Sequence, residues 1–263
     1  MQPESGPAKS AERPAAPGPK ATPGSPAREA VTLWAIGFAL IITASLLVPN
    51  YAKLVATVSF LYLPLLFARR QELPEKSPTL LSRFWTFDYR ELGVSTRNWR
   101  QDVKLALGVF AVVAPVYFVG YLLYPEILKH LPRTLAVHLS PHLASGTFHL
   151  RLPARFGEWA IDQTLVVALP EEFFYRGYLQ TRLRESYPGG KKFLGARLGP
   201  AFFLTAALFA LGHLAIFEAW RLAVFFPALL FGWLREKTGT VLGATLLHAA
   251  FNLYEMVLQA SFF

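Results

Sequence analysis

The feature that most constrains the fold of this chain is a series of seven apolar runs separated by more polar segments. A membrane-spanning helix needs about 20 mostly apolar residues, and most of the runs are close to that length. Hydrophobic residues make up 53% of the chain and charged residues only 16%, which is too apolar for an ordinary soluble domain. We therefore predict an all-α fold, a polytopic membrane helical bundle of about seven transmembrane helices (about six to eight), over residues 31–48, 54–68, 105–124, 158–181, 198–217, 220–234 and 239–258.

Basic residues outnumber acidic ones by 26 to 17, and their placement follows the loops between the apolar runs. If residues 1–30 are cytoplasmic, nineteen of the 26 basic residues fall on the cytoplasmic side. The positive-inside rule then places the N-terminus in the cytoplasm and, after seven spans, the C-terminus outside. Because membrane topology explains where the basic residues lie, we expect the partner of this chain to be a lipid bilayer and not a nucleic acid.

The segments around the runs divide the chain into three parts. Residues 1–30 are rich in Pro, Ala, Gly and Ser and contain no aromatic residue, which predicts a disordered cytoplasmic tail and not a secretory signal peptide. Residues 31–157 hold the N-terminal transmembrane helices, with an aromatic and basic loop at 69–104 that we expect to lie on the membrane surface. Residues 158–258 hold the helices that carry intramembrane polar groups.

Three charged residues, Glu171, Glu172 and Arg176, fall in the second half of the fourth run, where each charge costs about 2.5–3.5 kcal/mol on insertion scales. Glu172 and Arg176 are four residues apart on one helical face, so we predict an ion pair between them. Glu171 points about 100° away from that pair. Pro170 lacks a backbone N–H and is expected to kink the helix beside Glu171.

The fifth and seventh runs supply further polar groups. His213 is the ionisable residue of its run, and His248 and Asn252 are four residues apart on one face of the last run. Gly239 and Gly243 form a small-xxx-small pattern, which predicts close approach of a neighbouring helix. At about 1.5 Å per residue, the predicted boundaries place Glu171 and His248 roughly 15 Å from the cytoplasmic face and His213 roughly 22 Å from it.

A carboxylate, two imidazoles and an amide on three helices are the groups needed to activate a water and stabilise an oxyanion. Glu171, His213 and His248 also form a set that can hold zinc with one position open for water. The chain has no cysteine, so any metal site must use such ligands. Two other classes stay open, a non-catalytic partner-binding or immunity-type membrane module and a proton-coupled carrier.

The motifs Glu171-Glu172-xxx-Arg176, Phe209-xxx-His213 and His248-xxx-Asn252, in this order and each in its own apolar run, resemble those of the CAAX protease and bacteriocin-processing (CPBP, or Abi) family of intramembrane endopeptidases. The resemblance covers residues 158–258. It implies that Glu171 activates the attacking water, that His213, His248 and Asn252 complete the catalytic site, and that Glu172 and Arg176 support it.

The same resemblance implies a membrane-anchored protein substrate and an enzyme in a membrane, which we expect to be the bacterial inner membrane. The family has been described both as metalloproteases and as glutamic-type proteases that need no metal; we favour the description without a cofactor and keep zinc as the alternative. The stretch EEFFYRGYLQTRL is further similar to the myxosortases, a bacterial subgroup that processes C-terminal sorting tails. The oligomeric state is left open.

Overall fold

The chain was analysed as a computed structural model that describes residues 25–67, 89–139 and 148–262. The described part is all-α, as predicted, with one short hairpin. Its helices are α1 (Ser25–Leu47), α2 (Ala52–Phe67), α3 (Trp99–Lys129), α4 (Arg133–Leu139), α5 (from Phe156 to Ser186), α6 (Pro200–Gly212), α7 (Phe225–Thr238) and α8 (Leu242–Phe262). Short 3-10 turns cover Pro49–Tyr51, His213–Ile216 and Ala219–Val224.

Two described helices are long and apolar enough to cross a membrane by length and composition, Pro26–Leu47 in α1 and Trp99–Lys129 in α3. Large apolar side chains such as Leu46 and Val112 are exposed on them, by 64% and 70%. Such surfaces need an apolar surrounding. The number of seven spans is not established by these two helices and stays a prediction.

The first helix corrects the predicted tail, because α1 begins at Ser25, inside residues 1–30. Ala27 and Ala30 are buried, and the backbone N–H of Ala27 donates to Ser186 Oγ at 2.9 Å. Glu29 accepts a hydrogen bond from Tyr178 at 2.8 Å. Small residues and one carboxylate thus fix the start of α1 against the end of α5, while the first 24 residues of the tail lie outside the described part.

The predicted interfacial loop 69–104 is shorter than expected, since α3 begins at Trp99; residues 68–88 lie outside the described part. The helices of the structure also begin and end at residues other than those of the predicted spans. The run 198–217 divides into α6 and a 3-10 turn, and the polar segment that follows α5 forms an antiparallel hairpin of β1 (Lys191–Phe193) and β2 (Ala196–Leu198).

Helix α5 alternates between two helix types. Its α-helical parts are Phe156–Ile161, Leu169–Glu172 and Gln180–Ser186, and π-helical segments cover Asp162–Ala168 and Phe173–Leu179. Pro170 has no N–H for the carbonyl of Val166, and this carbonyl instead accepts from Thr57 Oγ1 of α2 at 2.8 Å. The hydrogen bond from Thr57 thus replaces the one that Pro170 cannot donate.

The two glycines of the small-xxx-small pattern have different roles. Gly243 permits close packing of α8 on α3, because a Cβ there would lie 3.1 Å from Asp102 Oδ1. The pattern predicted this approach correctly for Gly243. Gly239 instead ends α7 in the left-handed conformation, with a φ of 77° and its N–H donated to Arg235 O, which is the geometry of a helix C-terminus.

Gly177 of α5 lies against the backbone near Leu92, and a Cβ at this position would be 2.9 Å from the Leu92 carbonyl oxygen. We expect Gly177→Ala to lower the free energy of unfolding by about 1–3 kcal/mol, because a backbone atom cannot move aside as a side-chain end can. Gly108→Ala is the control, since a Cβ there meets nothing within 4 Å. Unfolding in detergent micelles measures both; equal stabilities would contradict the packing described.

Candidate functional site

The centre of the site is a buried ion pair on α5. Arg176 donates from a terminal guanidinium nitrogen to Glu172 Oε1 at 2.9 Å, and both side chains are 0% exposed. The spacing of four residues predicted this pair. A second guanidinium nitrogen donates to the carbonyl of Ala228 at 3.0 Å, so the pair also connects α5 to α7.

Two aromatic rings surround the guanidinium of Arg176. Its central carbon lies 4.3 Å from the ring centroid of Phe209 and 5.2 Å from that of Phe231. A cation is attracted to the faces of such rings, more strongly where water is excluded. The surrounding rings therefore hold the guanidinium of Arg176 in place.

His248 of α8 joins this ion pair. Its Nδ1 lies 2.8 Å from Glu172 Oε1, and its ring stacks on Phe231 with centroids 4.8 Å apart and an interplanar angle of 12°. Because the carboxylate paired with Arg176 is an acceptor, Nδ1 of His248 is the donor. Glu172 and Phe231 thus fix both the orientation of the imidazole and the position of one proton.

Glu171 faces the other nitrogen of the same imidazole. Its Oε2 lies 3.9 Å from His248 Nε2, which is too far for a direct hydrogen bond. This oxygen has no hydrogen-bond partner among the described residues. The side chain is 18% exposed, in contrast to the fully buried Glu172. Glu171 is therefore the more exposed of the two carboxylates, with its Oε2 buried beside His248.

His213 lies just after the end of α6, in the 3-10 turn His213–Ile216. Its Nδ1 is 2.9 Å from the carbonyl of Phe209, which makes Nδ1 the donor. The Phe209 ring lies between the two histidines, with its centroid 4.6 Å from the ring of His213 and 5.8 Å from that of His248. The structure thus brings His213 beside the other site residues, although the predicted boundaries placed it about 7 Å deeper.

Asn252, one turn after His248, contacts a residue that the sequence did not single out. Its Nδ2 donates to Gln163 Oε1 at 2.9 Å, and Gln163 in turn donates to Asp162 Oδ2 at 3.1 Å. Asp162 pairs with Lys53 of α2 at 2.6 Å. A polar Gln near the start of the run 158–181 was the available signal, but only the π geometry of Asp162–Ala168 determines which face Gln163 occupies.

The zinc alternative needs Glu171, His213 and His248 to converge on one point. Within the described ranges, no group of three or more His, Asp or Glu side chains lies close enough together to hold a metal ion. Zinc-binding histidines commonly donate their other N–H to a carboxylate or carbonyl, as Nδ1 of His248 and of His213 do here, so it is the separation of the three side chains that argues against a zinc site. The residues as placed do not fit a zinc site, and we derive no step through a metal.

Comparison with known protein families gives one match. The family model described as type II CAAX prenyl endopeptidase Rce1-like matches residues 153–254, which include all seven residues of the three motifs. This match confirms the family resemblance expected from the motifs, whereas the narrower likeness to the myxosortases stays a prediction. No curated protein and no solved structure matches the chain.

Proposed function

We propose that this chain, whose residues 153–254 form an Rce1-like CAAX protease domain, is an integral membrane endopeptidase that hydrolyses a peptide bond of a membrane-associated protein. The observation that carries the proposal is the pair of adjacent carboxylates around one imidazole. Glu172 is fully buried, and its Oε1 pairs with Arg176 and orients His248, while the Glu171 side chain is 18% exposed and forms no pair with Arg176. The Oε2 atoms of both carboxylates have no hydrogen-bond partner among the described residues. This arrangement supports separate roles for the two carboxylates: Glu172 positions His248, and Glu171 reacts.

In the reaction that we propose, Glu171 accepts a proton from water as the water oxygen attacks the carbonyl carbon of the substrate. The carbon–nitrogen bond then breaks, and Glu171 returns the proton to the leaving amine. His248 Nε2, held opposite Glu171 Oε2 at 3.9 Å, is placed to share the proton of the attacking water. Glu171 thus acts first as a general base and then as a general acid.

Asn252 and His213 complete the site in this proposal. The amide of Asn252 has two N–H groups, and the structure uses one of them for Gln163. The second can donate to the carbonyl oxygen as negative charge develops on it, which is worth about 10²- to 10³-fold in rate for one such donor. His213 lies across Phe209 from His248, and we assign it to the same oxyanion side.

We further propose that no metal ion takes part, because the placement of the two histidines leaves no convergent ligand set. The prediction is that purified protein cleaves peptides at an unchanged rate after dialysis against a strong chelator. Elemental analysis of the same sample should find less than one zinc per ten chains. A rate that falls at least tenfold with the chelator and returns with zinc would contradict this and favour the metal-dependent alternative.

The substrate is proposed to be a membrane-anchored protein, cleaved near its C-terminus in the manner of a sorting tail or a CAAX-type end. The enzyme is proposed to lie in a bacterial inner membrane with its N-terminus in the cytoplasm. The positive-inside pattern supports this orientation, and the exposed apolar surfaces of α1 and α3 support the membrane location.

The experiment that tests the function compares protein termini in cells that carry the wild type, Glu171→Gln or no copy. The matched control is Glu158→Gln, because Glu158 is on the same helix and forms an exposed pair with Arg155. We expect a defined set of membrane proteins to keep uncut ends in the Glu171→Gln and deletion strains, but not in the Glu158→Gln strain. Unchanged termini in all strains would contradict the proposal and favour the partner-binding module or the carrier.

A further inference from the structure

Helix α8 carries one carboxylate, that of Glu255, which the proposed reaction does not use. Glu255 accepts hydrogen bonds from the hydroxyl of Tyr117 in α3 and, at 3.0 Å, from Gln259 Nε2. Both donors are neutral, and Glu255 forms no ion pair within the described residues, so these bonds satisfy the oxygens without a counter-charge from that part of the chain. A carboxylate in a membrane helix is costly and is a candidate for function.

Glu255 lies on the face of α8 that carries the catalytic residues. The positions of His248, Asn252, Glu255 and Gln259 follow each other by four, three and four residues. At about 100° per residue they fall within an arc of roughly 60°. We call these four side chains the polar stripe of α8.

Helices α3 and α5 lie on the two sides of the polar stripe and do not pack over it. Tyr117 of α3 contacts Glu255 on one side, and Gln163 of α5 contacts Asn252 on the other. Both helices pack on α8, yet among the described residues they hardly contact each other. We call the space between α3 and the N-terminal half of α5, along the polar stripe, the groove; its inner end is at His248, which is 5% exposed.

From this geometry, and resting on the proposed protease function, we propose that the groove binds the substrate as an extended strand and that Glu255 binds a basic side chain of it. Seven residues separate His248 from Glu255, which is roughly 10 Å along the helix axis. An extended strand covers this distance in about three residues. The substrate class is thus a membrane-associated protein with Lys or Arg about three residues from the cleaved bond.

A purely structural contact between α3 and α8 would not need the charge of Glu255. The hydroxyl of Tyr117 can donate to the amide oxygen of a glutamine as well, although more weakly than to a carboxylate, and Tyr117 itself is 43% exposed, so the pair is not a sealed packing contact. Glu255→Gln therefore removes the charge and keeps the shape and the acceptor. Tyr117→Phe is the matched control, because it removes the hydrogen bond and keeps the charge.

The test uses purified full-length protein in detergent micelles and a library of peptides released from a bacterial proteome by a glutamyl endopeptidase, so that Lys and Arg stay internal. Cleavage sites are identified by mass spectrometry for the wild type, Glu255→Gln, Tyr117→Phe and Glu171→Gln. We expect Lys and Arg to be enriched two to four residues from the cleaved bond, on one side only, for the wild type and Tyr117→Phe. For a peptide pair that differs by Lys or Gln at that position, we expect kcat/KM to differ at least tenfold with the wild type and less than threefold with Glu255→Gln.

Two results would overturn the proposal, and they are distinguishable. If the wild type cleaves peptides in a Glu171-dependent way without enrichment of basic residues, or if Glu255→Gln keeps the enrichment, the role of Glu255 is wrong and the protease function stands. If no cleavage depends on Glu171, the proposed function fails, and the substrate assignment fails with it. An unfolding midpoint for Glu255→Gln equal to that of the wild type excludes misfolding as the cause of lost selectivity.

Discussion

Purified Glu171→Gln protein is expected to cleave peptides about 10²- to 10⁴-fold more slowly than the wild type, the range that a positioned general base contributes. Glutamine has nearly the shape of glutamate but cannot accept the proton of the attacking water. The effect should fall on kcat with little change in KM, because Glu171 reacts with water and is not assigned to substrate binding. Steady-state kinetics on one cleaved peptide measure both constants.

The folded state should tolerate this change. Glu171 Oε2 has no hydrogen-bond partner within the described residues, and its side chain is partly exposed, so no buried charge loses a partner. The unfolding midpoint of Glu171→Gln in micelles should therefore match that of the wild type and of the Glu158→Gln control. A Glu171→Gln protein that unfolds readily would assign Glu171 to packing of the helices.

The second large effect is on stability and comes from the neighbouring residue. Glu172→Gln is expected to lower the free energy of unfolding by about 3 kcal/mol, the lower end of the cost of breaking a buried ion pair by removing one charge. The guanidinium of Arg176 is 0% exposed and would keep its charge without its carboxylate partner. Unfolding in detergent micelles, followed by circular dichroism, measures the loss.

Two further variants separate this buried charge from a general effect of the substitution. Glu185→Gln removes a carboxylate whose pair with Arg182 is partly exposed, and such pairs contribute at most about 1 kcal/mol. Glu172→Gln combined with Arg176→Met removes both charges and should be more stable than Glu172→Gln alone. A Glu172→Gln protein as stable as the wild type would contradict the account of the ion pair.

The sequence alone predicted those features of the site that depend on a single helix. The ion pair of Glu172 and Arg176, the shared face of His248 and Asn252, and the disturbance at Pro170 follow from helical spacing and from the missing N–H of proline. Hydropathy was sufficient for the all-α class. The helices do not begin and end where the predicted spans do. Polar residues can continue a helix beyond its apolar run when that end packs against a neighbouring helix, as at the start of Ser25–Leu47.

The contacts between helices could not be predicted from the sequence. Spacing places Glu171 about 100° from Glu172, which suggests different surroundings, yet both carboxylates face one imidazole because His248 has a nitrogen on each side. The partner of Asn252 depends on two π segments that change the register of α5, and no single-residue propensity predicts them. The hairpin after α5 was missed because its strands, Lys191–Phe193 and Ala196–Leu198, are too short to show alternation.

The central claim is that water, activated by Glu171, attacks the peptide bond directly. The most direct measurement is a single turnover of excess wild-type enzyme with one peptide in water enriched in ¹⁸O, followed by mass spectrometry of the product and of the enzyme segment that contains Glu171. The account predicts one ¹⁸O atom in the new carboxyl terminus and none in Glu171. Label in the Glu171 carboxylate would contradict it, because it would show that Glu171 attacks the substrate and forms an acyl intermediate.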